Sequence, residues 1–119
     1  MRVAISTDGD MVAPHFGRCD AYTIADIEDG KIVSRQRIAN PGHAPGVLPG
    51  YLAERGVQCI IAGGMGPRAE TLFRERNIET IVGVSGTIDE TLDALKRGDL
   101  RAGASLCEHG EQPTSAEEA

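Results

Sequence analysis

Residues 57–67 read VQCIIAGGMGP, an apolar run that passes directly into a glycine-rich turn and then a proline. The run Val57 to Ala62 has the length and apolar character of a buried strand. Gly63 to Gly66 predicts a sharp turn, and Pro67 suits the first position of a helix because its φ angle is already close to the helical value. The stretch therefore predicts a buried strand that leads at once into a helix, as in the unit from which parallel sheets are built.

A hairpin is predicted in the first half of the chain. Ala21 to Ile27 and Lys31 to Ile38 are strand-like runs, and the Asp29-Gly30 pair between them suits the positive φ angles of a tight turn. Arg2 to Thr7 is a further β-branched run and is predicted as the first, buried strand. The second hairpin strand is expected at the edge of the sheet because it carries Lys31, Arg35, Gln36 and Arg37.

Three helices complete the pattern. Apolar residues recur at helical spacing from Val47 to Gly56 and again from Ala69 to Asn77. A third helix is predicted from Thr87, whose hydroxyl suits an N-cap with Glu90 three residues later, to Gly98. The apolar run Ile78 to Val84 lies between the last two helices, and this alternation requires parallel pairing through right-handed crossovers. The sequence therefore predicts an α/β domain with a mixed five-stranded sheet and helices on its faces.

The composition narrows the classes of function. The 119 residues suit one domain, predicted over residues 1–110, while the polar and acidic segment 111–119 is predicted to be a disordered tail. A net charge of -6 and an aromatic content of 3% argue against nucleic acid as a partner. No apolar run approaches the roughly 20 residues that cross a bilayer, so we expect a soluble, cytoplasmic protein without a membrane partner.

Three loops follow the carboxyl ends of predicted strands, where α/β proteins commonly bind ligands. They are residues 15–20, with the sequence HFGRCD, the glycine turn at 63–67, and Ser85-Gly86-Thr87. A fourth loop, which contains His43, leaves the hairpin and could reach the same rim. We therefore expect the chemistry-bearing residues to line one crevice at this edge of the sheet.

The glycine turn has more than one interpretation. Gly64, Gly66 and Ala69 fit a relaxed dinucleotide-binding pattern, but the acidic residue expected about 20 positions later is missing. The unpaired N–H groups at the helix start, with Arg68 beside them, would form an anion site. Alternatively, the glycines only allow the strand and the helix to pack closely.

Histidine and cysteine side chains are the candidate metal ligands. Three of them, His15, His43 and Cys19, lie in the loops. Each histidine is either a metal ligand or a surface residue. Cys19 is either a metal ligand or a partly buried free thiol. Cys59 lies inside an apolar strand and is predicted to belong to the core. The pair at 107 and 109, a cysteine and a histidine, lacks the two further ligands of a zinc site.

The sequence carries no catalytic motif of the nucleophile-elbow, phosphate-loop or zinc-protease type. Asp8, Asp20 and Asp26 could hold two Mg²⁺ ions as in nucleases, but Asp8-Gly9-Asp10 is equally good turn chemistry and no basic face accompanies it. A catalytic function therefore has little support in the sequence, and we do not expect an enzyme.

Several of these segments together resemble the nitrogenase iron-molybdenum cofactor biosynthesis family. The resemblance covers about residues 1 to 100 and rests on the start Arg2 to Asp8, the HFGR loop, the hairpin, the GGMGPRA turn at 63–69 and the last capped helix. The family includes small cofactor-carrier proteins, a domain of the cofactor-assembly radical enzyme, and the orange protein, which holds a molybdenum-copper sulfide cluster. It implies a ribonuclease H-like three-layer fold with strand order 3-2-1-4-5 and the second strand antiparallel.

The resemblance also implies a function, which is to bind or carry a metal-sulfur cluster of iron-molybdenum or molybdenum-copper type, or its precursor. The partners implied are cluster donor and acceptor proteins, and the protein itself is expected to be a monomer or a weak homodimer. The matching positions imply that the cofactor is bound by His15, Phe16, Gly17, Arg18, Gly63, Gly64, Met65, Gly66, Pro67 and Arg68. Such a cluster is anionic and supplies its own sulfides, so few protein ligands are needed.

Two other hypotheses use the same residues differently. The glycine turn would serve a small-anion or nucleotide-binding regulatory module equally well. A domain without a ligand would instead present the edge strand Lys31 to Ile38 to another protein.

Overall fold

The computed structural model describes residues 1–42, 47–98 and 100, and its centre is one mixed β-sheet. The main path of the sheet runs in the order β4-β3-β1-β5-β6, and β2 pairs with β1 beside it. β1 is antiparallel to β3 and parallel to β5, and β5 is parallel to β6. The strands are β1 (Arg2–Asp8), β2 (Met11–Val12), β3 (Ala21–Glu28), β4 (Lys31–Ala39), β5 (Cys59–Ile61) and β6 (Glu79–Ile81).

The α/β class is confirmed, and within the described residues the sheet has six strands where five were predicted. The added strand, β2, is only two residues long and pairs with the end of β1 through Thr7 and Asp8. A two-residue element has no periodicity for a sequence pattern to reveal. β5 and β6 are also shorter than the apolar runs around them, because pairing stops at Ile61 and Ile81 while the chain continues into the turns.

Helices cover both faces of the sheet and make three layers. The helices are α1 (Val47–Glu54), α2 (Pro67–Glu75) and α3 (Ile88–Arg97), and Phe16–Arg18 is a single 3-10 turn. On one face, Leu52 of α1 and Phe73 of α2 join a buried cluster that also contains Ala4 and Ile60. The other face buries Ile5 and Cys59 beneath Leu92 of α3. Alternate residues of β1 therefore enter different cores, as the two-residue period of a strand requires.

The ends of the last two helices follow the sequence signals. Pro67 occupies the first position of α2, as predicted. At α3, the Thr87 hydroxyl accepts from the Glu90 N–H and the Glu90 carboxylate accepts from the Thr87 N–H, while Gly98 ends the helix with a positive φ of 78°. None of the helices in the described ranges is long and apolar enough to cross a membrane.

Candidate functional site

The loop after β2 and the glycine turn after β5 lie against each other and are joined by main-chain hydrogen bonds. The Gly63 N–H donates to the Ala13 carbonyl, and the Phe16 N–H donates to the Gly64 carbonyl, each at 2.9 Å. A Cβ atom at Gly63 would lie 2.8 Å from the Cα of Pro14, so only glycine allows this approach. The two segments, which lie about 50 residues apart in the sequence, therefore form one continuous rim.

A cavity of about 600 Å³ opens at this rim. Seven of its lining residues were predicted from the sequence: His15, Phe16, Gly17, Arg18, Gly64, Met65 and Gly66. Two more lining residues, Pro14 and Ala69, were not among the predicted cofactor-binding residues; Pro14 precedes the HFGR loop, and Ala69 ends the GGMGPRA segment. The cavity lies beside the first turn of α2, so it is the expected crevice between the HFGR loop and the glycine turn.

An aromatic cluster anchors the HFGR loop. Phe16 is only 7% exposed and packs edge-on against Phe73, with ring centroids 5.0 Å apart, and against Tyr22 at 5.8 Å. The Tyr22 hydroxyl donates to the Phe16 carbonyl at 3.0 Å, and burial raises the pKa of this phenol well above its usual value. Phe16 is therefore one of the residues that line the cavity, while its buried ring holds the loop in place.

Polar contacts fix the other end of the same loop. The Asn40 side-chain amide donates to the Cys19 carbonyl at 2.9 Å and to the Gly17 carbonyl at 3.3 Å. The Cys19 thiol is buried and donates to the Phe16 carbonyl at 3.4 Å. It does not line the cavity, so in this structure its sulfur is part of the loop's internal support.

The electrostatics of the cavity favour an anion. In the described part of the chain, the N–H groups of three lining residues, Gly64, Met65 and Ala69, donate no hydrogen bond. Ala69 belongs to the first turn of α2, where the helix dipole adds partial positive charge. Arg18 lies on the rim, is exposed, and makes no ion pair with any described residue. A negatively charged group in the cavity would therefore meet donors that have no other partner here.

Some predicted residues lie outside the cavity. Gly63 forms the join beneath it, while Pro67 and Arg68 are exposed on α2 and do not line it. The loop Ser85-Gly86-Thr87 instead pairs with the chain near β2, where the Val12 N–H donates to the Gly86 carbonyl at 2.9 Å. The expectation that all three loops share one crevice is therefore wrong for the third.

Metal ligation was predicted for His15, Cys19 and His43. His15 is exposed and lines the cavity, whereas His43 lies outside the described residues, as do Cys107, His109 and the predicted tail. Across residues 1–42, 47–98 and 100, no group of three or more histidine, cysteine or acidic side chains is placed to hold a metal ion. The described rim thus offers one imidazole and one thioether, with N–H groups and an arginine around them.

Asn40 and Tyr22 support the site and were missed by the sequence analysis. Neither belongs to a motif, and each acts on the loop through a contact that only the folded chain brings about. The one available signal was position, since Asn40 directly follows β4 and begins the breaker-rich segment.

Comparison with known proteins places the chain in a family. The family model for dinitrogenase iron-molybdenum cofactor proteins matches residues 1–98. The protein MJ0580 of Methanocaldococcus jannaschii is 32% identical over 105 residues, which is 84% of this chain and 89% of that protein. The crystal structure of PH0822 superposes with a TM-score of 0.80 at 30% identity and covers 86% of this chain and 94% of its own.

A more distant structure shares the fold. The apo form of the orange protein from Desulfovibrio gigas superposes with a TM-score of 0.73 at 22% identity, covering 87% of this chain and 92% of that one. Since the family model covers most of the sequence, including both rim motifs and all three helices, the chain belongs to the dinitrogenase iron-molybdenum cofactor family.

Proposed function

We propose that this protein binds and carries a metal-sulfur cluster, or a precursor of one, in the cavity between the HFGR loop and the glycine turn. The observation that best supports this proposal is the pair of main-chain hydrogen bonds donated by the Gly63 and Phe16 N–H groups, which join the two loops into a rim that favours an anion. The family model and the three-layer architecture support a cofactor-related role. We also infer a ribonuclease H-like arrangement, on the basis of the strand order β4-β3-β1-β5-β6.

The donor set suits an anionic sulfide cluster. Cluster sulfides accept hydrogen bonds, and the N–H groups of Gly64 and Met65 are available as donors. Several weak hydrogen bonds of this kind would bind a cluster without a thiolate ligand. The Arg18 guanidinium would balance cluster charge, and the Met65 thioether and His15 imidazole are ligands that copper and iron accept. Clusters of iron-molybdenum and of molybdenum-copper type both fit these donors, and the two arms of the loading experiment below distinguish them.

The same geometry suits release. A carrier must give up its cargo, which requires that affinity come from few exchangeable contacts. Among the described residues, the rim supplies neither a cysteine nor a carboxylate to the cavity. Transfer between a donor and an acceptor protein would then need no thiolate exchange at this rim.

The experiment is anaerobic loading followed by metal analysis and a visible absorption spectrum. The protein is incubated with iron, molybdenum and sulfide, and separately with tetrathiomolybdate and copper, and is then desalted. We expect retained metal with sulfide-to-metal absorption in at least one arm. A colourless, metal-free protein in both arms would overturn the proposal.

Variants localise the binding. His15→Ala combined with Arg18→Ala should lower retained metal severalfold with little change in Tm, because both side chains are exposed on the rim. Arg74→Ala on α2 is the matched control, since it removes an exposed cation away from the cavity. Equal loss of metal in the control would show that retention is not at this rim.

A small-anion or nucleotide module is the second candidate, favoured by the free N–H groups at the start of α2. Titration with inorganic phosphate and with ATP, followed by calorimetry, tests it. Two results together would identify phosphate or the nucleotide, and not a cluster, as the ligand. The anion binds saturably and Arg18→Ala abolishes this binding, while the loading experiment leaves no metal on the protein.

A further inference from the structure

Within residues 1–42, 47–98 and 100, the β4 strand forms a long sheet edge. β4 spans nine residues, Lys31–Ala39, and pairs only with β3 in the described part of the chain. Alternate residues of an edge strand direct their N–H and C=O groups away from the sheet, where another extended chain can pair with them. The opposite edge, β6, has only three residues, so β4 is the edge that could accept a strand.

The charge on β4 selects what can pair with it. All of its charged side chains, Lys31, Arg35 and Arg37, are cationic, although the whole chain carries a net charge of -6. A second copy of β4 would bring like charges together across the new strand pair, which is destabilising. An acidic segment would instead place opposite charges in cross-strand register.

Grooves flank β4 on both faces of the sheet. On the α3 side, a cavity of about 390 Å³ is lined by two cations, Arg35 and Arg37, by one acidic residue, Asp10, and by the buried Thr7 and Thr23, among others. On the other side, a cavity of about 200 Å³ is lined by Ser34 and Asp26, among others. Because alternate side chains of an added strand point to opposite faces, both grooves would receive side chains of the same partner.

The present contacts of these cations are easily exchanged. Arg35 pairs with Asp89 at 2.7 Å, but their side chains are 48% and 81% exposed, and such surface pairs contribute little to stability. Arg37 donates to the Gly9 carbonyl at 2.8 Å, which still leaves other N–H groups of its guanidinium for a carboxylate.

We propose that β4 binds an extended acidic segment of a partner protein by strand addition. The register of β3 and β4 shifts between Asp26 and Ile27, so regular main-chain pairing is available along residues 34–39. Pairing there supplies the binding energy, and the Arg35 and Arg37 cations select acidic side chains. This surface is separate from the cavity lined by His15 and Met65, so the proposal stands independently of cluster binding.

The probe is a blocked nine-residue peptide of alternating glutamate and threonine, with a lysine-threonine peptide as its charge-reversed counterpart. Binding to the full-length protein is measured by fluorescence anisotropy at low salt, and backbone amides are followed by NMR with hydrogen exchange. We expect the acidic peptide to bind, its affinity to fall as salt rises, and amides of β4 to gain protection. Absence of binding, equal binding of the basic peptide, or protection elsewhere than β4 would overturn the proposal.

Variants separate the edge from the rest of the surface. Arg35→Glu and Arg37→Glu, which lie on the same face of β4, should each weaken binding by about tenfold, as expected for reversing one charge in a complementary pair. Arg74→Glu, an equal charge change on α2, should leave binding unchanged. Thermal unfolding of each variant checks that the fold is retained.

Two further outcomes would name a different occupant and so overturn the proposal. If β4 amides are already protected in a concentration-dependent way without peptide, the edge pairs with a second copy of this chain. If the peptide binds only after residues 101–119 are deleted, the acidic end of this chain competes for the edge.

Discussion

Gly63 shows how a single residue decides whether the rim exists. Its hydrogen atom faces Pro14 and the Ala13 carbonyl, and a Cβ there would lie 2.8 Å and 3.0 Å from them. The sequence marked this position as part of a turn, but the reason for glycine is a contact with a segment 50 positions earlier. A contact of that separation leaves no local signal, and the sequence alone therefore suggested turn geometry or phosphate binding instead.

Gly63→Ala is expected to destabilise the protein by about 1–3 kcal/mol, because the added methyl group overpacks a backbone contact. It should also abolish cluster retention if the rim is the site. Urea unfolding measures the first effect and metal analysis the second.

Gly66→Ala is the matched control for that substitution. A Cβ at Gly66 would meet nothing within 4 Å, and its φ of -70° suits any residue. A loss of stability at Gly66 as large as at Gly63 would contradict the crowding argument.

At the scale of elements, the most exact agreement between sequence and structure is the start of α3. Thr87 and Glu90 were predicted as a capping box, and both hydrogen bonds form, at 3.0 Å and 2.9 Å. The pattern is local, so it needs no tertiary information. β2 is the opposite case, because its pairing with Thr7 and Asp8 depends on where the chain returns.

Thr87→Ala removes the side-chain acceptor at the N-terminus of α3 and should cost about 1 kcal/mol of unfolding free energy. Thr87→Ser keeps the hydroxyl and should retain most of the stability. Urea midpoints of both variants provide the measurement, and an equal loss in the serine variant would show that the methyl group, and not the cap, matters.

The same scale explains which of the predicted residues line the cavity. The HFGR and GGMG segments follow β2 and β5, and sheet topology alone brings their ends together. Sheet topology does not determine which way each side chain of these segments points. Cys19 follows a 3-10 turn that directs its thiol to the Phe16 carbonyl, and Arg68 lies on the exposed side of α2.

At the scale of the whole molecule, the sheet separates two hydrophobic cores. Cys59 lies in the core beneath α3 and can be used to measure its exposure. Its side chain is fully buried beneath α3, and burial, with a smaller effect of the Glu79 charge, raises the pKa of the thiol to about 12. Because the pKa of Cys59 is higher in the folded state than the ordinary value of about 8.5, the unfolded chain loses this proton first as the pH rises. The free energy of unfolding therefore falls between about pH 8.5 and about pH 12.

Cys59 is therefore expected to resist alkylation by iodoacetamide at pH 8 until the molecule unfolds, because both access and thiolate formation require exposure of the core. Peptide mass spectrometry follows labelling at Cys59 separately from the other cysteines. Labelling in urea above the unfolding midpoint is the positive control. Native labelling at the rate of an unfolded chain would contradict the buried position.

The rim is held together by peptide groups, and this affects how it can be redesigned. Because the joining atoms belong to the backbone, the exposed side chains of His15 and Arg18 can be exchanged without removing the two hydrogen bonds between the segments. Met65 packs against the core, so it is kept. A combinatorial library at positions 15 and 18 would therefore vary the chemistry at the rim while keeping its backbone, as a starting point for engineered metal or oxyanion receptors.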